Sequence, residues 1–96
     1  MPVTVFVPRE SDPAESRVAA SPETVKRLSG AGHTVIVEKG AGDASRITDQ
    51  MFADAGARIG GKGDAGKADV VLKVRRPSDA ETASYKKGAA VLAAMD

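Results

Sequence analysis

A chain of 96 residues with 42% hydrophobic side chains can bury one core and no more. Its 14 basic and 13 acidic residues leave a net charge of +1, and only 3% of residues are aromatic, which excludes the basic, stacking surface of a nucleic-acid binder. Without cysteine, and with His33 as the only histidine, disulfides, thiolate chemistry and a metal centre have little to build on, so a cytosolic, metal-free domain is expected.

Val3 to Val7 is a β-branched and aromatic run closed by Pro8, and it predicts a strand buried on both faces. Next comes a charged loop with Arg17, and then a well-specified helix start. Ser21 is placed to accept from an orphan first-turn N–H, Pro22 falls where a missing donor costs nothing, and Glu23 suits the positive helix end. Val25 and Leu28 mark the apolar face of this helix, and Gly30 or Gly32 stops it. His33 to Glu38 predicts a second strand, and at the end of the preceding helix His33 is expected to interact with helix carbonyls. After the glycine-bearing loop Lys39 to Arg46, Thr48 caps a helix in which Met51, Phe52 and Ala55 share a face, and Gly56 ends it. Ala57 to Ile59 is a short third strand, and a weak helical stretch covers Lys62 to Lys67. Asp69 to Val74 is the clearest buried strand, ended by Pro77. Ser78 caps a last short helix through Ala83, and Ala89 to Ala93 is a fifth strand.

No apolar run reaches the roughly 18 residues of a membrane span, and Met1 leads directly into a strand pattern, so neither a membrane helix nor a signal peptide is expected. Strands alternating with helices predict a three-layer α/β fold of flavodoxin-like or Rossmann-like type, a parallel sheet of about five strands flanked by helices. Ligands of such sheets sit outside the carboxyl ends of the strands. Arg9, Glu10, Arg17, Lys39 to Ser45 and Lys73 to Arg76 fall there, which puts the cations Arg17, Lys73, Arg75 and Arg76 on one rim. An anion site at Arg17 and Lys73 follows if these cations point inward. Against it stands the ordinary behaviour of lysine, which is to snorkel from a strand end, and of Arg75 and Arg76, which is to be solvated. The loop Gly40 to Ser45 nearly matches GxGxxG. Charged residues separate it from the strand core and the capped helix begins only after Thr48, so a tight turn needing positive φ is the expected role. Ser21 and Ser45 have no histidine at a suggestive spacing, and Asp49, Asp54 and Asp69 fall at helix starts, helix faces and strand beginnings. No catalytic and no metal-binding constellation is assigned.

The run PRESDPAESRVAASPETVKRLSGAGHTVIVEKGAGDASRITDQMFADAGARI, followed by ADVVLKVRRP, resembles the N-terminal segment shared by alanine dehydrogenases and the NAD-binding alpha subunit of proton-translocating NAD(P) transhydrogenase. ASRITD after the glycine loop and KVRRP, with Arg76 before Pro77, look like the transhydrogenase branch. The resemblance implies that Arg17 and Lys73 match the pair that holds the substrate carboxylate in alanine dehydrogenases. It also implies a catalytic histidine after the fifth strand in those enzymes, where this chain has Ala93, Ala94, Met95 and Asp96. The family's dinucleotide fold lies downstream of the matched region, so residues 1–96 are expected to be one N-terminal domain without it, inactive alone. By the same resemblance the complete subunit binds NAD(H), and a partner domain carries NADP(H). The implied partners are the remainder of the alpha subunit, the NADP-binding beta subunit, membrane segments and a second copy in a homodimer, at the cytoplasmic side of the inner membrane. The alternatives are a fragment of an alanine dehydrogenase-like enzyme and a non-catalytic binding or assembly module.

Overall fold

The structure is a computed structural model and describes residues 3–10, 18–75, 83, 85 and 88–95. Its centre is a parallel sheet of five strands, β1 (Thr4–Val7), β2 (Thr34–Glu38), β3 (Arg58–Gly60), β4 (Val70–Arg75) and β5 (Ala90–Met95), in the order β3-β2-β1-β4-β5. The expected parallel α/β sheet is therefore present, with each predicted strand within a residue or two of its place. Helices α1 (Pro22–Gly30) and α2 (Asp49–Asp54) supply the crossovers from β1 to β2 and from β2 to β3, and a 3₁₀ helix at Lys62–Lys67 leads into β4. The helix expected from Ser78 lies outside the described residues, apart from Ala83.

Strand alternation divides the core between the two faces of the sheet. Val5, Val7, Val35 and Val37 point toward α1 and α2, where they meet Val25 and Phe52, while Leu28, Ala55, Val70 and Leu72 pack around them. Phe6, Ile36 and Val71 point the other way, onto Ala65 of the 3₁₀ helix and Ala68 at its end, with Tyr85 and Val91 at the margin. Phe52 and Val25 are fully buried, each worth about 1.5–3 kcal/mol relative to exposure. Met51 departs from expectation, since it is 46% exposed. A helix of six residues presents only a narrow stripe to the sheet, and Phe52 with Ala55 already fills it.

Both helices carry the start and stop chemistry read from the sequence. Ser21 Oγ accepts from Thr24 N at 3.2 Å, and Thr48 Oγ1 accepts from Met51 N at 3.1 Å. At the end of α1, Gly32 has φ +96°, and the amides of Gly32 and His33 donate to the carbonyls of Ser29 and Leu28. Gly56, with φ +111°, does the same for α2, where Ala57 N reaches the carbonyl of Phe52. These paired bonds around a left-handed glycine turn each chain end straight into the next strand.

His33 acts differently from expectation. Its backbone amide does meet the helix carbonyl of Leu28, but its ring turns to the start of β1, where Nδ1 accepts from Val3 N at 3.1 Å. Next to it, Asp69 Oδ2 accepts from Thr4 N at 2.9 Å. The first two described amides of the chain thus find side-chain acceptors from the starts of β2 and β4, in keeping with the cost of leaving such donors unpaired.

Candidate functional site at the carboxyl edge of β1 and β4

The chain runs from β1 outward through β2 to β3, then crosses back to place β4 on the other side of β1. The order reverses between β1 and β4, which makes that gap the topological switch point, where open parallel sheets hold ligands. Local geometry opens the gap further. The last registered pair between the two strands is Phe6 with Val71, whereas β1 and β2 stay paired to Val7 with Val37, and β4 and β5 to Arg75 with Met95. Pro8 follows immediately and has no N–H to continue a ladder. β1 therefore peels away from β4 and leaves a fork with Val71 at its base.

Glu10 spans that fork. Lys73 Nζ donates to Glu10 Oε1 at 3.2 Å, and Val74 N donates to Oε2 at 3.0 Å. One carboxylate thus takes a strand amide that the departing β1 no longer serves, and also the ammonium one residue earlier. The Lys73 and Glu10 side chains are only 1% and 3% exposed. The residue before Glu10 is tied to the opposite neighbour, because Glu38 Oε1 of β2 accepts from Arg9 N at 3.0 Å. The segment leaving β1 is in this way anchored on both sides at the level of the crevice.

This overturns the snorkelling expected of Lys73. The residue lies inside β4, opposite Ala93 of β5, and on the face that carries Val71. With strands close by, its stem cannot lift the ammonium into water, so a buried counter-charge is required. Glu10 is the carboxylate that meets it. Arg17 and Arg76 lie outside the described residues. Sequence reasoning missed Glu10 as the partner, although one signal was available: an apolar strand interrupted by lysine needs a carboxylate from an adjacent strand end, and the register places the end of β1 there.

The glycine loop after β2 does not fit a dinucleotide. Gly40 has φ +80°, the tight turn expected, and its amide donates to Asp49 Oδ1 at 2.9 Å. The amides of Ala41, Asp43, Ser45, Arg46 and Ile47 all bond to carbonyls of the same loop or of the β2 end. Those are the donors a phosphate would need. Gly42 is required for a different reason than positive φ. Its φ is −98°, but a Cβ there would stand 2.6 Å from the Ile47 carbonyl oxygen and 2.7 Å from Phe52 Cε2.

A family model described as "Alanine dehydrogenase/PNT, N-terminal domain" matches residues 6–96. The chain belongs to this family. Among relatives of the alanine dehydrogenase/PNT N-terminal domain, the NAD(P) transhydrogenase subunit alpha of Haemophilus influenzae is 45% identical over 88 residues, covering 92% of this chain and 17% of the relative. The crystal structure of transhydrogenase from Sinorhizobium meliloti superposes with a TM-score of 0.90 at 56% identity, over 92% of this chain and 25% of that one. A solved L-alanine dehydrogenase gives 0.80 at 38% identity, over 88% and 24%. The chain thus spans a quarter or less of these proteins, and the family match over residues 6–96 takes in Phe6, Glu10, Val71 and Lys73 at the fork. Among the described residues no helix is long and apolar enough to cross a membrane.

Proposed function

We propose that residues 1–96 form one N-terminal domain belonging to the alpha subunit of a proton-translocating NAD(P) transhydrogenase. The observation that carries this reading is the higher likeness to the transhydrogenase structure, 56% identity at a TM-score of 0.90, against 38% and 0.80 for L-alanine dehydrogenase. Arg76 before Pro77 supports the same branch. On this reading the complete protein passes hydride between NAD(H) and NADP(H), coupled to proton movement. The dinucleotide-binding domain lies in the remainder of the subunit, and the NADP site and membrane segments lie in partner subunits. The subunit works as a homodimer held peripherally at the cytoplasmic side of the inner membrane, and the 96 residues alone turn over no substrate. Nicotinamide would supply the hydride chemistry, while this chain supplies the scaffold and one wall of the cleft. In that wall Lys73 stands at the switch point, and Arg17 is its proposed companion in holding a ligand.

The test is NADH-dependent reduction of an NADP analogue by the complete parent protein with its partner subunits, and absence of transfer refutes the reading. A second reading, an alanine dehydrogenase-like enzyme, is favoured by the 43% identity to alanine dehydrogenase 1 of Staphylococcus aureus over 86% of this chain. It requires pyruvate and ammonia to drive NADH oxidation, with activity lost on Arg17→Ala or Lys73→Ala.

A further inference from the structure

We propose that Glu10 is a positioning residue of the crevice, acting through Lys73; the proposal deepens the reading above and rests on it. Three observations meet here. The ladder between β1 and β4 ends at Phe6 and Val71, and beyond it Glu10 ties Lys73 and Val74 of β4 to the segment that leaves β1. Glu10 divides its carboxylate between the Lys73 ammonium and the Val74 amide, and this fixes the lysine relative to its own backbone as well as to β1. Both side chains are withdrawn from water, to 1% and 3% exposure.

Stability does not account for such a pair. Replacing a buried ion pair by packed apolar side chains of similar volume is often neutral or stabilising, whereas removing one partner strands a buried charge. Glu10 and Lys73 sit at the switch point, and at that place the pair has a different use. It sets one ammonium at a fixed position beside the cleft, so that Lys73 meets a ligand as an oriented hydrogen-bond donor.

The experiment uses the complete parent protein with its partner subunits and compares wild type, Glu10→Gln, Glu10→Asp, Lys73→Met and the double variant Glu10→Leu/Lys73→Met. Each is followed by thermal melting and by two assays side by side, NADH-dependent reduction of an NADP analogue and pyruvate-dependent NADH oxidation. In whichever assay the wild type supports, the double variant is expected to melt like wild type yet lose about tenfold to a hundredfold in kcat, the scale of a misplaced reacting partner. The KM for NADH is expected to stay within about twofold, since only an orienting interaction has been removed. Glu10→Gln is expected to lose a similar factor, and Glu10→Asp, which keeps the charge, to recover part of it. Wild-type melting and wild-type turnover in the double variant would overturn the proposal, leaving the pair purely structural. So would normal turnover in Glu10→Gln beside a dead Lys73→Met. Wild-type activity only with pyruvate refutes the transhydrogenase reading and leaves the role of Glu10 to be decided by the same variants in that assay, while activity in neither refutes both.

Discussion

Substituting Gly42 by alanine separates a packing glycine from a phosphate-binding one. The backbone there, φ −98° and ψ 2°, is open to any residue, so the substitution brings no conformational penalty and restricts the unfolded chain, a gain of about 0.4–1 kcal/mol. The added methyl, however, would lie 2.6 Å from the Ile47 carbonyl oxygen, 2.7 Å from Phe52 Cε2 and 2.9 Å from Ile47 Cβ. Phe52 is fully buried and cannot swing aside, and Ile47 N is itself bonded to the Gly42 carbonyl. Overpacking of this kind costs about 1–3 kcal/mol, and with backbone among the obstacles the upper part of that range applies. The net loss is about 2 kcal/mol, which lowers Tm by roughly 8–16 °C in a domain of this size. Gly30→Ala is the matched control, because a Cβ at Gly30 meets nothing within 4 Å and the residue closes α1, so Tm should rise by a few degrees. Circular dichroism melts of the three proteins decide the matter. Equal or higher Tm for Gly42→Ala would refute the steric account of this loop, and nucleotide affinity lost at unchanged Tm would return it to the phosphate-binding class.

Ser21→Ala removes the acceptor of Thr24 N and should lower stability by about 1 kcal/mol in urea unfolding, an unchanged midpoint meaning that the cap contributes nothing. His33→Leu leaves Val3 N without its ring acceptor; amide exchange at Val3 should quicken and stability fall by about 1 kcal/mol, and unaltered exchange would dismiss the bond. The Gly61 amide, with smaller help from Lys67, holds the Asp64 carboxyl below its ordinary value of 3.8. Its stabilising contribution is therefore complete above that value and lost as the pH falls through the lower folded-state pKa, so Asp64→Asn should flatten the acid limb of the stability curve. A carboxyl titration by NMR that places Asp64 above 3.8 would contradict this.

Much of the fold was legible because each strand is a short β-branched run and each helix carries its own caps, and such signals are local. Ser21, Pro22, Thr48, Gly32 and Gly56 all act within a few residues of themselves. What escaped is non-local. Lys73 looks solvated until Glu10, 63 positions earlier, is brought beside it by the β1–β4 pairing. The ring of His33 and the carboxylate of Asp69 likewise serve amides of β1 that only the sheet order makes neighbours. Gly42 was assigned to the glycine class by its company in the loop, while its reason is a wall made by Ile47 and Phe52. Met51 shares a helix face with Phe52 and Ala55 by spacing yet stays exposed, because helical spacing gives a direction but not the width of the surface that receives it.

The central seat of β1 also sets an order of events during synthesis. Thr4 finds Thr34 on one side, but the other edge waits for Val70 to meet Val5. Closing the longer loop costs only about 0.7 kcal/mol more than closing the shorter one, since that cost grows with the logarithm of length. At equilibrium the difference is slight; in time it is not. A chain still on the ribosome, or one interrupted ahead of Val70, carries Val5, Phe6 and Val7 with one edge unpaired, an apolar strand open to pairing with another copy until β4 arrives.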